Sequence, residues 1–481
     1  MFQLFQDSMA IAQHCSKPDL FITMMANPSW SEIKDNSFSY EDDDDNPDYP
    51  RKHQTAPDHP DIVAHVIFQK IKSMLKDIKD GLFGDVQGYV FTIEFQKWGL
   101  PHIHLLIFLK QQYKIHDANH VNLILSAQIP DPVAHPLLYA TVTKCMMHGP
   151  CGPEFPNAPC MANRKCSKHY PKNFCAETHL GEDGYPEYAR PDNGRTYANP
   201  HSKIFDNCNV VPYNPHLSAK YDCNINIEVC ASVKAIKYIH KYIYKGHDCA
   251  TVGVGEHIDL ILEHIGSHYI GPSEAFWHIA EFPMHEEKPS VYSLPVHLPD
   301  QQTIYFNDDN DLAEVMDHDA TKKTILTKWF TTNCTISTAK QHSYLDFPNH
   351  FVWEKKSRKW KPHSQANVIG RMYFVHPSAG EHFYLRLLLI TVKGPESWED
   401  LRRFQGVLYP TFKSACVAHG LLEDNGEWKK CLEEAGDMQT GQQLHSLFVT
   451  ILLHCHPSLP HVLWNQFRVK ICNNLNHRLT A

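Results

Sequence analysis

Apolar residues change their spacing several times along the chain, and each change marks an element. Leu20 to Met25 is a short apolar run that stops at Asn27-Pro28, the pattern of a buried strand ended by a residue that cannot donate to a ladder. From Pro60 onward Ile62, Val66, Ile67, Ile71, Met74, Leu75 and Ile78 recur every three or four positions, with Asp58 before them and Gly81 after. That spacing predicts an amphipathic helix. Residues 88–96 and 102–110 are rich in β-branched and aromatic side chains, and the turn-forming Lys97-Trp98-Gly99-Leu100-Pro101 between them makes the two a predicted hairpin. A helix is expected over 132–143, an irregular Cys/His/Pro/Gly-rich stretch over 145–175, short strands separated by turns over 185–211, and a strand over 221–229. Val233, Ile236, Ile239 and Ile243 then form one stripe of a helix over 231–245, capped by Gly246. Further helices are expected over 273–280 and after Ser397.

The order β, α, β-hairpin, α, β, α suits an antiparallel sheet with helices on one face, an α+β architecture of the split βαβ kind. A mixed, mainly helical C-terminal region follows. The expected division is a first domain over 1–250, a linker or accessory domain over 251–395 and a helical region over 396–481. A chain of 481 residues can bury two or three such cores. No apolar run approaches the roughly 18 to 20 residues of a membrane span, and the N-terminus lacks a basic leader, so the expected protein is neither membrane-bound nor secreted. In that setting 15 cysteines are read as thiols or metal ligands rather than a disulfide framework.

Charge changes the picture less than its total suggests. The net value is −9, but six acids fall within the loop 41–48, and without them the balance is −3. Such a run is a solvated loop and does not decide the partner.

Three groups of residues could carry chemistry. His102 and His104 interrupt an apolar strand, and period-two geometry puts both imidazoles on one face. Glu94 and Gln96 share a face of the partner strand. A carboxylate beside two imidazoles suits a divalent ion such as Mg²⁺ or Mn²⁺, with Glu94 the expected third ligand and Gln96 in reserve. On the helix over 231–245, Tyr238 and Tyr242 lie four apart on one side, flanked by Lys234, Lys241 and Lys245, where an ammonium can ease formation of a phenolate or hold phosphate. Third, His148, Cys151, Cys160 and Cys166 offer one imidazole and three thiols in a loop with no core of its own, the chemistry of a closed structural Zn²⁺ site. Cys145, His169 and Cys175 are rival ligands.

The chain resembles the replication-initiator-like part of Helitron transposases. The resemblance is carried by Phe21-Ile22-Thr23 with Asn27-Pro28-x-Trp30, by Glu94 to His104, by His148-Gly149-Pro150-Cys151-Gly152 with Pro159-Cys160-Met161, by Val211 to Pro215, and by Lys237-Tyr238-x3-Tyr242-x2-Lys245-Gly246. It implies an HUH endonuclease and strand transferase of a rolling-circle transposon, acting in the nucleus on single-stranded DNA of transposon ends and target. His102 and His104 become metal ligands, Tyr238 and Tyr242 nucleophiles that form a 5′-phosphotyrosyl link, and Lys245 a phosphate or phenolate partner. Neither Gly-x4-Gly-Lys-Ser/Thr nor any Gly-Lys pair occurs, so the motor is expected from a helicase domain or protein supplied elsewhere. The competing expectations are an inactive or truncated DNA-binding remnant, and a zinc-dependent hydrolase that would not need the tyrosines.

Overall fold

The computed structural model describes residues 2–37, 54–95, 99–181, 185–199, 204–230, 270–302, 323–363, 367–421, 426–438, 441–452, 457 and 460–472. The acidic loop 41–48, Gln96 and the whole segment 231–269 lie outside the described residues. The chain forms two compact units, Met1–Lys288 and Pro289–Ala481.

The first unit opens with α1 (Phe2–Cys15), β1 (Leu20–Met25), α2 (Ser31–Lys34), α3 (Pro60–Lys79), β2 (Val86–Phe95) and β3 (Pro101–Leu109). Then come α4 (Ala118–Ile124), α5 (Pro136–Cys145) and three pairs of two-residue strands. These are β4 (Met161–Ala162) with β5 (Lys165–Cys166), β6 (His179–Leu180) with β7 (Pro186–Glu187), and β8 (Tyr197–Ala198) with β9 (Ile204–Phe205). The unit closes with α6 (Pro215–Tyr221), β10 (Ile225–Val229), a helix at Pro272–Ile279 and β11 (His285–Lys288).

Five strands make one antiparallel sheet in the order β10-β1-β3-β2-β11. Its two faces differ because side chains alternate along each strand. Ile22 and Met24, Ile93, Ile103, Leu105 and Ile107, and Ile225 and Ile227 point into a core completed by Val63, Ile67, Ile71, Met74 and Ile78, the apolar stripe of α3. Removing that much apolar surface from water is what holds the helix on the sheet, at about 25 cal/mol per Å². The helix Pro272–Ile279 packs beside α3, where the rings of Phe68 and Phe282 stack with centroids 4.1 Å apart and Trp277 meets both edge-on. The intervening positions, Thr23, Glu94, His102, His104 and Asn226, share the opposite face, as the pairings Thr23↔His104, Thr23↔Asn226 and Glu94↔His102 require.

Three expectations are corrected. The helix expected at 132 starts at Pro136, because the Asp131 carboxylate accepts the N–H groups of Val133 and Ala134 and folds that stretch into a turn. The strand expected at 221 starts at Ile225. Before it lies α6, capped by Asn214, whose side chain accepts from Leu217 N at 2.9 Å, and ended by Asp222 at φ 43°. Finally β11, far along the chain, adds a strand beside β2 that was not expected.

The second unit is also mixed. A parallel pair, Ser290–Leu294 with Val368–Met372, and a hairpin, Phe351–Glu354 with Lys359–Pro362, pack with helices that include Ile325–Thr335, Glu381–Thr391, Gly426–Met438 and Pro460–Ile471. Trp329, Tyr344, Phe347, Phe383, Leu388 and Trp428 are fully buried among them. Gly370 cannot be replaced there, since any Cβ would overlap the Leu345 carbonyl and Leu294.

Candidate metal centres

The sheet face opposite the α3 core builds the first centre. Glu94 on β2 stands directly across from His102 on β3, and His104 is two residues further along the same strand. One carboxylate oxygen, Glu94 Oε2, lies 3.1 Å from Nε2 of His102 and 3.1 Å from Nε2 of His104. The two imidazoles are almost fully buried and meet edge to face, centroids 4.6 Å apart.

One of the two rings is held from behind. His104 Nδ1 sits 3.2 Å from Thr23 Oγ1 on β1, and Phe21 lies parallel to the ring at 5.8 Å. In the tautomer whose Nδ1–H donates to that hydroxyl, Nε2 presents its lone pair on the Glu94 side, the arrangement an outer partner gives a metal-bound histidine. Nδ1 of His102 is buried with no hydrogen-bond partner among the described residues, so this ring's only polar contact is at Nε2, toward Glu94. The donor set fits a cation. Two bonds of about 2.1 to 2.2 Å at a right angle put ligand atoms about 3.0 to 3.1 Å apart, which is the spacing found here.

The second centre is made by loops. Asn163 and Arg164 take positive φ (50° and 62°) and turn β4 back onto β5, which sets Cys166 opposite Met161, next to Cys160. Ser167 N donates to Cys160 O at 2.8 Å and locks that turn. Gly149 at φ 122° swings the preceding segment inward, so that His148 Nε2 lies 3.3 Å from Cys166 Sγ. The ligand atoms of His148, Cys151, Cys160 and Cys166 all fall within 4.8 Å of one another. The rival cysteine and histidine positions are elsewhere. Cys175 Sγ donates to Glu177 O, Cys145 pairs its backbone with Asn224, and His169 is not part of the group.

Electrostatics favour a cation at this second centre. Burial and the ammonium groups of Lys168 and Lys172 hold His148 below the usual imidazole range, which keeps its lone pair available at neutral pH. Burial and the adjacent thiols push Cys151 up to about 12. Burial opposes ionisation of Cys166 too, yet the N–H groups of Tyr170 and Lys168 hold that thiol below its ordinary value. Crowded thiols that resist a second and third negative charge are relieved by a dication.

A cavity of about 950 Å³ reaches from His104 to His148. Lys168, Lys172, Tyr170, Phe174 and Tyr185 line it together with Phe21, Thr23 and Asn226 of the sheet. Tyr170 stacks on His148 at 4.1 Å, and the Lys172 ammonium stands 5.1 Å over the Tyr170 ring. Arg190 lines it as well but is committed inward, with Nη1 donating to the carbonyls of Asn207 and Val210 at 2.6 and 2.7 Å. Sequence reasoning missed this wall and Thr23. The net charge of −9 concealed the local lysines, and no local pattern shows that β1 lies beside β3. Tyr238, Tyr242 and Lys245 lie outside the described residues.

Residues 1–107, which include β1, β2, most of β3 and all three groups of the first centre, match the Helitron helicase-like domain at N-terminus family. This supports a relationship to the N-terminal region of Helitron transposases. No curated protein matches the chain.

Proposed function

We propose that the protein is a metal-dependent single-stranded DNA endonuclease and strand transferase of a Helitron-like rolling-circle transposon, built on a replication-initiator-like sheet. The observation that carries this reading is the meeting of both imidazoles on one Glu94 oxygen, inside the matched stretch and at the floor of a cleft with basic and aromatic walls. Glu94, His102 and His104 would hold Mg²⁺ or Mn²⁺, which when bound draws electron density from the scissile phosphate. His148, Cys151, Cys160 and Cys166 would hold a structural Zn²⁺.

The chain's own groups do the rest. Thr23 fixes the orientation of His104. Lys168 and Lys172 offset phosphate charge along the cleft, and Tyr170, Phe174 and Tyr185 offer ring faces on which unpaired bases stack, which suits single strands of varied sequence. The hydroxyl of Tyr238 or Tyr242 attacks phosphorus, losing its proton. The bond to the 3′ oxygen breaks, that oxygen takes up a proton, and a 5′-phosphotyrosyl link and a free 3′-OH result. Lys245 lowers the cost of the phenolate. β10 ends opposite Leu20, three positions along the sheet from the His104 row, so the helix expected over 231–245 would start near that row. Strand transfer is the reverse attack by a 3′-OH. A helicase domain or protein supplied elsewhere would unwind the DNA, in the nucleus.

The test is covalent capture. Incubated with Mn²⁺ and a pool of 3′-labelled single-stranded oligonucleotides, the protein should carry label that survives denaturing electrophoresis, and Tyr238→Phe/Tyr242→Phe should not. Retention of the oligonucleotides without any covalent label in the wild type would instead identify a DNA-binding remnant.

A further inference from the structure

A third cluster lies in the second unit, on a segment that the proposed nuclease chemistry does not use. His342, Asp346 and His350 follow one another at four-residue intervals around two short 3-10 turns, Ser337–Gln341 and Phe347–Asn349. One oxygen, Asp346 Oδ2, lies 3.3 Å from His342 Nδ1 and 3.4 Å from His350 Nε2. The two imidazoles lie face to face, centroids 3.7 Å apart and inclined by 20°. All three ligand atoms fall within 4.8 Å of one another.

We propose that His342 Nδ1, Asp346 Oδ2 and His350 Nε2 form a binding site for a borderline divalent cation of the Zn²⁺ class, separate from both centres of the first unit. The spacing is the first argument. Charge-assisted N–H···O⁻ bonds settle at about 2.7 to 2.9 Å, whereas two ligands bonded at about 2.0 to 2.1 Å to one tetrahedral ion stand about 3.3 Å apart. At 3.3 Å the His342–Asp346 contact is a long hydrogen bond, and both separations fit ligands around one ion once an imidazole turns about χ2 out of the stack so that both ring planes contain it.

Support behind the ligands is the second argument. Asp346 Oδ1 accepts from Asn349 Nδ2 at 3.1 Å, which turns Oδ2 toward the imidazoles, the arrangement of an outer partner orienting a ligating carboxylate. His342 is pinned through its backbone, donating to Ala339 O at 3.2 Å and accepting from Gly394 N at 3.3 Å. His350 is pinned likewise, donating to Phe347 O at 3.0 Å and accepting from His363 N at 2.8 Å. Phe347 and Phe351 stack at 4.3 Å beneath this segment, and Phe347 is fully buried, so the ligands stand on a rigid base.

Donor chemistry is the third. Two imidazole nitrogens and one carboxylate select Zn²⁺, Co²⁺, Ni²⁺ or Cu²⁺ over the all-oxygen preference of Mg²⁺ and Ca²⁺. The three side chains are 18%, 46% and 42% exposed, so the rim is open and a fourth position faces water. The site therefore takes up metal from solution and exchanges it, rather than enclosing it as four protein ligands would.

The experiment counts zinc. Full-length protein equilibrated with buffered Zn²⁺ and freed of excess metal is compared with His342→Ala, Asp346→Asn and His350→Ala by atomic emission. Each variant should hold one equivalent fewer than the wild type, with affinity at that site reduced at least about 100-fold, while labelling of single-stranded DNA is unchanged. Equal zinc content in the wild type and all three variants overturns the proposal. A second measurement needs no variant: crystals of the wild type grown with Zn²⁺ should show anomalous scattering at the zinc edge within bonding distance of His342, Asp346 and His350, and its absence there overturns the proposal as well.

Discussion

The two candidate metal centres of the first unit, a carboxylate with two imidazoles and an imidazole with three thiols, reach their geometry by opposite routes. Glu94, His102 and His104 sit on adjacent strands whose register is set by a core on the other side of the sheet, including Ile93, Ile103 and Leu105. A slip of one residue would turn the histidines into that core and the isoleucines out of it, so burial of apolar surface specifies the site. His148, Cys151, Cys160 and Cys166 have no such scaffold. Their loop holds two-residue strands and tight turns, and only Cys166 of the four is buried. In the first centre folding places the donor groups; in the second, a bound metal would supply the free energy that the loop's missing core does not.

The sharpest separation of the two comes from His104→Ala. It should lower covalent DNA labelling by at least about 1000-fold, since it removes a ligand and leaves the core face untouched, and thermal melting should move by only a few degrees. A loss of fold in this variant would mean that the first centre, too, depends on its ligands. Cys166→Ser should do the converse. Zinc content should fall by one equivalent, and limited proteolysis should cut within 145–175 in minutes while β1 to β3 stay protected. Acidification should mimic it. His148 has its pKa held below that of an unfolded histidine, so the neutral form contributes stability above about pH 6.5 that is lost as the pH falls through the lowered value, and protons displace metal from the thiols over the same range.

Thr23→Ala tests how far the sheet alone orients a ligand. Without the hydroxyl beside His104 Nδ1, Mn²⁺ affinity should drop about 10- to 100-fold by titration, with melting nearly unchanged. The smallest effect is expected from Gly149→Ala. Positive φ and the nearby Phe205 ring should cost about 1 to 3 kcal/mol, seen as an earlier chelator midpoint for the cysteine–histidine loop and no change at the first centre.

What could be read from the sequence divides along the same line. The hairpin β2–β3 and α3 were legible because their periods are local and their ends carry Gly, Pro and Asp. From period two alone it followed that His102 and His104 share a face, and the hairpin turn placed Glu94 across from them. Contacts between distant segments were not legible. Thr23 reaches His104 only because β1 lies next to β3, and β11 joins β2 from nearly two hundred residues away, a pairing that no local pattern encodes. Pro136 and Asp131 moved the start of α5, where two prolines and an acid each offered a beginning. Lysines 168 and 172 became a cleft wall through the loop's own turns.

β11 has a bearing on how the protein must be made. Its four residues, His285, Glu286, Glu287 and Lys288, pair along Tyr89 to Thr92 and cap the outer edge of β2 with charge. During synthesis β2 emerges long before them, so the nascent chain carries a bare, apolar hydrogen-bonding edge until residue 288 has left the ribosome. Such an edge recruits other strands. A chain released at residue 250 would keep every group of both centres and yet lack the strip that keeps neighbouring copies from adding themselves to the sheet. Its yield of soluble protein, compared with that of a chain released at residue 288, would be governed by these four side chains rather than by anything at the metal.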